Sequence, residues 1–215
     1  MKILRSFIVS FVLLSVLSMS ILLVSAIGPL IVTIDPISSV KGLSPAYTGT
    51  MNFTSGDTTD YFYLKVTIPD DYKIHTGGAN TEMGNFTISD KVKIKMISTG
   101  TDNIVRFEYS INGGISYTPI TGTLNLNQNG ITSITYNTNN LTFYKPANEK
   151  NRYLEFELGT LGPIKSTKTV IVKMVSGSLT NPTTSQLYTW LATAKVNKNA
   201  PQESTGSATV TITNS

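Results

Sequence analysis

The chain has 215 residues, 40% of them hydrophobic and only 14% charged, with a formal net charge of +4. It has no cysteine and a single histidine, which excludes disulfide stapling, thiol catalysis and zinc sites built from several imidazoles. Its lysines and arginines are scattered and not clustered among aromatics, so no nucleic-acid partner is expected.

Residues 1–26 have the parts of a secretory signal. Lys2 and Arg5 give a basic start, residues 7–24 an apolar run softened by serines, and Val24-Ser25-Ala26 a small-residue cleavage site. The expected mature protein is extracellular or on the cell surface and begins near Ile27. An uncleaved leader would be its route to a membrane.

The stretch that follows, residues 27–36, is apolar and β-branched, with Pro29 and Pro36 preventing helix. In extended form Leu30, Val32 and Ile34 share one face, and Ile31, Thr33 and Asp35 the other. Such a strand must be buried, either in its own domain or in a neighbouring subunit. Residues 38–46, with Gly42 and Pro45, read as a linker, so residues 27–46 form a strand-and-linker unit ahead of a domain over 47–215.

From there short strands alternate with turn residues. Strands are expected at 47–53 and at 60–68, where Phe62, Leu64, Val66 and Ile68 alternate with Tyr61, Tyr63, Lys65 and Thr67. A glycine-bearing loop follows at 75–80. One strand is expected over 86–96, with Val92, Ile94 and Met96 inward and Lys91, Lys93 and Lys95 outward. Residues 105–117 read as a hairpin around Asn112-Gly113-Gly114. Residues 124–130 form an Asn-rich loop, and further strands are expected at 131–136, 141–144, 153–158, 169–175, 187–196 and 208–212. About thirty threonines fit this pattern. The fold class is therefore all-β, a single antiparallel sandwich of jelly-roll or immunoglobulin-like type.

No residue set points to catalysis, a metal or a cofactor. Glu155 and Glu157 have the spacing of paired carboxylates, but they sit on a polar strand face. Asp57, Asp60, Asp70 and Asp71 could ligate calcium, but with no EF-hand or tandem Asp-x-Asp loop they read as turn-forming aspartates. His75 reads as an exposed loop residue. Tyr188 and Trp190 share a face, as a sugar-stacking platform or as core, and core is the expected role. Asn52, Asn85 and Asn140 head Asn-x-Thr sequons and are candidate glycosylation sites, which hexose-sized steps in intact mass would reveal.

The Tyr-Ser strand running into Gly113-Gly114 resembles hairpins of extracellular immunoglobulin-like domains. The layout of secretory signal, apolar strand Leu30-Ile31-Val32-Thr33-Ile34, Gly/Pro-bearing linker and Thr/Asn-rich domain resembles archaeal donor-strand-assembled surface filaments. These are the thread-type pilins and TasA-like bundling-pilus subunits. That resemblance implies a homopolymer in which Leu30, Ile31, Val32 and Ile34 complete the next subunit's sheet. The alternative is a surface-attached adhesin or carbohydrate-binding module, with cell-surface glycans as partners, that keeps its first strand.

Overall fold

Alternating apolar and polar residues give strands wherever one face can be buried, and here they build two sheets with the apolar faces turned together. The computed structural model describes residues 27–55, 63–69, 71–88, 90–136, 139–145, 147, 151–157, 168–195 and 203–214. The expected secretory signal lies outside the described residues, as do Asp57, Asp60 and Asp70.

In chain order the strands are β1 (Ile27–Asp35), β2 (Ser38–Val40), β3 (Tyr47–Ser55), β4 (Tyr63–Pro69), β5 (Lys73–Ile74), β6 (Glu82–Thr87), β7 (Lys93–Ser98) and β8 (Ile104–Ser110). There follow β9 (Thr118–Pro119), β10 (Leu124–Asn125), β11 (Gly130–Tyr136), β12 (Asn139–Lys145), β13 (Asn151–Glu157), β14 (Lys168–Met174), β15 (Leu179–Thr180), β16 (Leu187–Lys195) and β17 (Glu203–Thr213). The described residues contain no helix.

The first sheet runs β1-β3-β14-β6-β7-β8-β10, with β9 beside β8, and the second runs β11-β12-β13-β4-β16-β17-β2. β5 and β15 form a separate small pair. The chain crosses between the two large sheets after β1, β2, β3, β4, β10, β13 and β14, so β14 joins β3 to β6, and β4 joins β13 to β16. The long strands pair antiparallel, while β2 lies parallel to β17.

Between the sheets lies one apolar core. Phe86 of β6 meets Phe156 of β13 with ring centroids 4.6 Å apart, and Tyr47 of β3 meets Trp190 of β16 at 5.9 Å. Each fully buried Leu, Ile or Phe contributes about 1.5–3 kcal/mol by the area it removes from water. With no cysteine, this packing holds the sandwich without disulfides.

Four expectations are corrected. The single strand over 86–96 is two strands, β6 and β7, because the chain turns between them and the Ile88 amide donates to the Val92 carbonyl at 2.9 Å. The lysine alternation survives within β7, where Ile94 and Met96 are buried. The hairpin after β8 does turn at Gly113 and Gly114, both with positive φ, but its return strand is only β9. There the Ser110 hydroxyl accepts from the Asn112 and Gly114 amides and draws the chain into a wider loop. Residues 38–46, read as a linker, contain β2, and in the loop at 124–130 Leu124 and Leu126 are buried.

Candidate functional site

β1 occupies a groove whose walls come from both sheets. It pairs along β3, with Val32 opposite Met51, Thr33 opposite Thr50 and Ile34 opposite Gly49. The register shifts between Ile27 and Leu30, where Pro29 has no amide hydrogen to give the ladder. Leu30 and Ile34 are buried and Val32 packs against the core, whereas Ile31 is 57% exposed. The structure thus brings Leu30, Val32 and Ile34 together on one buried face and leaves Ile31 off it.

On its other side β1 lies against β17, with which it forms no ladder. The contact is close because residue 206 is glycine. A Cβ there would stand 2.5 Å from the Leu30 carbonyl oxygen and 2.7 Å from Val32 Cγ2. Such distances are far inside van der Waals contact, so only glycine lets the strand settle. Around Val32 and Ile34 the fit is incomplete. An apolar void of about 40 Å³ remains, walled by Tyr47, Met51, Val66 and Trp190.

Beneath the groove four aromatic residues interlock. Tyr72 lies 5.9 Å from Tyr47, 5.6 Å from Tyr188 and 5.1 Å from Trp190, in edge-to-face arrangements. Tyr188 and Trp190 share the inward face of β16, so both serve the core. Burial holds the Tyr47 and Tyr72 phenols above their ordinary range. The Tyr47 hydroxyl donates to Asn181 Oδ1. Asn181 Nδ2 donates in turn to Ser39 Oγ at 2.8 Å and to the Val40 carbonyl at 2.6 Å. This buried amide pins β2 to the body of the domain. Only Pro36 and Ile37 separate β2 from β1.

The other candidate residues lie apart from the groove. Glu155 and Glu157 are on the outer face of the second sheet, where Lys65 Nζ sits 3.9 Å over the Tyr153 ring and Tyr144 lies 4.9 Å from Tyr153. Nearby, the Tyr63 phenol is pushed up by burial first and then by the Glu155 carboxylate. His75 and Asp71 are exposed in loops at one end of the sandwich.

The three sequon asparagines sit within strands and are half-buried. Asn52 Oδ1 accepts from Thr169 at 2.7 Å, Asn85 Nδ2 donates to Glu82 at 2.8 Å, and Asn140 Nδ2 donates to Glu157 at 3.2 Å. Sequence reasoning missed Gly206 and Asn181. An isolated glycine inside the polar alternation of residues 203–213 was the available signal for the first. For Asn181, the Asn-Pro pair suggested only a turn.

No family model matches this chain, and no curated protein matches it. Among solved structures it is similar to the N-terminal domain of the Streptococcus gordonii adhesin Sgo0707, at 9% identity and a TM-score of 0.41. The match covers 86% of this chain and 32% of that one, so the chain spans about a third of that structure's length.

Proposed function

We propose that this chain is an extracellular structural subunit that polymerises by lending β1 to the groove of another copy. The observation that carries the reading is the seat of β1, an apolar strand held between β3 and the Gly206 side of β17. It is joined to the pinned strand β2 by two residues. A strand from a second copy would make the same ladder and bury the same side chains. The cis and trans states would then differ only by hinge strain and chain entropy, as in domain swapping. Passing β1 from each copy to the next is a head-to-tail contact that does not close, and filaments follow.

The test uses the absence of cysteine. Thr33 and Thr50 face each other across β1 and β3, so Thr33→Cys with Thr50→Cys places two thiols in one ladder position. Under oxidation, donation gives covalent multimers that run as a ladder on denaturing gels. A chain that keeps its own strand gives cross-linked monomer only.

That second outcome would support a surface-attached adhesin or carbohydrate-binding module. The observation on its side is that β1 completes the sheet of its own domain.

A further inference from the structure

Only Pro36 and Ile37 stand between Asp35, the last residue of β1, and Ser38, the first of β2. Three Cα steps span at most about 11 Å. β2 itself is anchored. Ser38, Ser39 and Val40 lie in register with Thr211, Ile212 and Thr213 of β17, and Asn181 holds Ser39 and the Val40 carbonyl. Around this connection three large apolar side chains, Ile37, Leu43 and Leu187, stand more than half exposed. All three gather at the C-terminal end of β17. The Thr211 amide donates to the Ile37 carbonyl at 2.9 Å, and Leu187 lies opposite Thr211 in the β16–β17 ladder. Leu43 follows the turn after β2, where the Lys41 amide donates to the Thr213 carbonyl at 3.1 Å. None of the three belongs to the core.

The reach of the connection decides what such a corner would meet. When β1 is lent to a second copy, Asp35 comes to lie opposite the acceptor's Thr48, the pairing it makes within the single chain. The donor's Ser38 must then stand within about 11 Å of that point, and it brings with it β17 and the Asn181 anchor. No flexible linker lets the two bodies swing apart. We infer that the corner formed by Ile37, Leu43 and Leu187 is the apolar face on which successive copies pack, its occupant being a second copy of this chain. This packing rests on β1 being a lent strand, and it adds a body-to-body contact that strand exchange alone does not supply. Ile115 is more exposed than any of the three. It lies in the loop after β8, five strands from β1 along the first sheet, and serves as the control.

The test uses the exported chain with Thr33→Cys and Thr50→Cys, oxidised over a range of concentrations and run on denaturing gels. In that background Leu43→Asp and Leu187→Asp should each raise the concentration at which multimers appear by about tenfold or more. Each replaces an apolar side chain buried between copies with a carboxylate. Ile115→Asp, the same kind of change away from the corner, should leave that concentration as it is. Urea midpoints should match the parent in all three, because each side chain is exposed within the single chain. Multimers that appear at the parental concentration in both leucine variants overturn the inference and leave strand lending standing. An equal rise for Ile115→Asp also overturns it, since added charge alone would then explain the loss. So does a lowered urea midpoint in the leucine variants, which would place those side chains within the fold. A parent that gives only cross-linked monomer sinks strand lending and this contact together.

Discussion

β1 and β11 both end a sheet and both put isoleucine on either face, yet they are held differently. Ile34 of β1 and Ile134 of β11 are buried to nearly the same degree, 7% and 6% exposed, while Ile31 and Ile131 face outward at 57% and 67%. Each strand also meets a glycine. The missing Cβ of Gly122 faces Ile134 Cγ2 at 2.8 Å, a side-chain methyl, whereas that of Gly206 faces the main-chain oxygen of Leu30. A methyl can yield by a small rotation. A carbonyl in a strand can yield only if the strand moves. β11 is therefore a strand with one partner, and β1 is a strand fitted into a slot. A slot that admits one backbone closely is the feature a donated strand would need, which is why the comparison bears on function.

The largest expected effect comes from closing that slot. Gly206→Val puts three carbons where the Leu30 carbonyl and Val32 now lie, and β1 must leave. Losing the burial of Leu30 and Ile34 alone should lower stability by about 3–6 kcal/mol. Urea denaturation would show this as a drop in the transition midpoint, with new protease sensitivity in residues 27–35. Gly122→Ala meets a methyl at a backbone with φ of +107°, and should lose about 1–3 kcal/mol through strain. If Gly206→Val proved no worse than Gly122→Ala, β1 would not be held by a slot. The same valine would bar a strand from any other copy, so polymer should vanish along with the cis seat.

A smaller effect is expected under the groove, and it has the opposite sign. The Tyr72 hydroxyl is buried with no hydrogen-bond partner among the described residues, so Tyr72→Phe removes a desolvated polar group without breaking a bond. Stability at neutral pH should rise by about 1 kcal/mol. Alkali sharpens the test. Below about pH 10 the phenols are neutral in both folded and unfolded chains and the full stability is present. Above it the unfolded chain ionises while burial keeps Tyr47 and Tyr72 protonated. Stability therefore falls as pH rises, and each such tyrosine adds up to about 1.4 kcal/mol per pH unit to the fall. Tyr72→Phe should make that fall shallower. An unchanged slope would mean that Tyr72 ionises as freely in the fold as out of it.

Much of this architecture was legible in the alternation of apolar residues. Leu64-x-Val66-x-Ile68, Leu154-x-Phe156 and Tyr188-x-Trp190 each point inward as the period of two requires. The apolar face of β1 was legible for the same reason. Its seat was not, because burial says that a strand needs a partner and not whose. The groove depends on Gly206, a residue whose contribution is an absent side chain, and on Asn181, whose partners Ser39 and Tyr47 lie more than 130 positions away.

The smallest expected effect returns to the outward isoleucines. Ile31→Thr and Ile131→Thr each exchange an exposed apolar side chain for a β-branched polar one that suits a strand equally well. Neither residue gives the core its buried area, so both variants should stay within about 0.5 kcal/mol of the parent in urea. The pair is informative because the two sites differ in what the filament reading asks of them. In the single chain both faces are open to solvent. In a polymer β1 lies at the junction between copies, where its outward face can meet the neighbouring subunit, whereas β11 ends a sheet far from the slot. Equal silence in stability, with polymer yield reduced for Ile31→Thr alone, would place the junction at β1. A stability loss above about 1 kcal/mol for either variant would show its isoleucine covered within the chain itself, and the contrast between a fitted strand and a merely paired one would need redrawing.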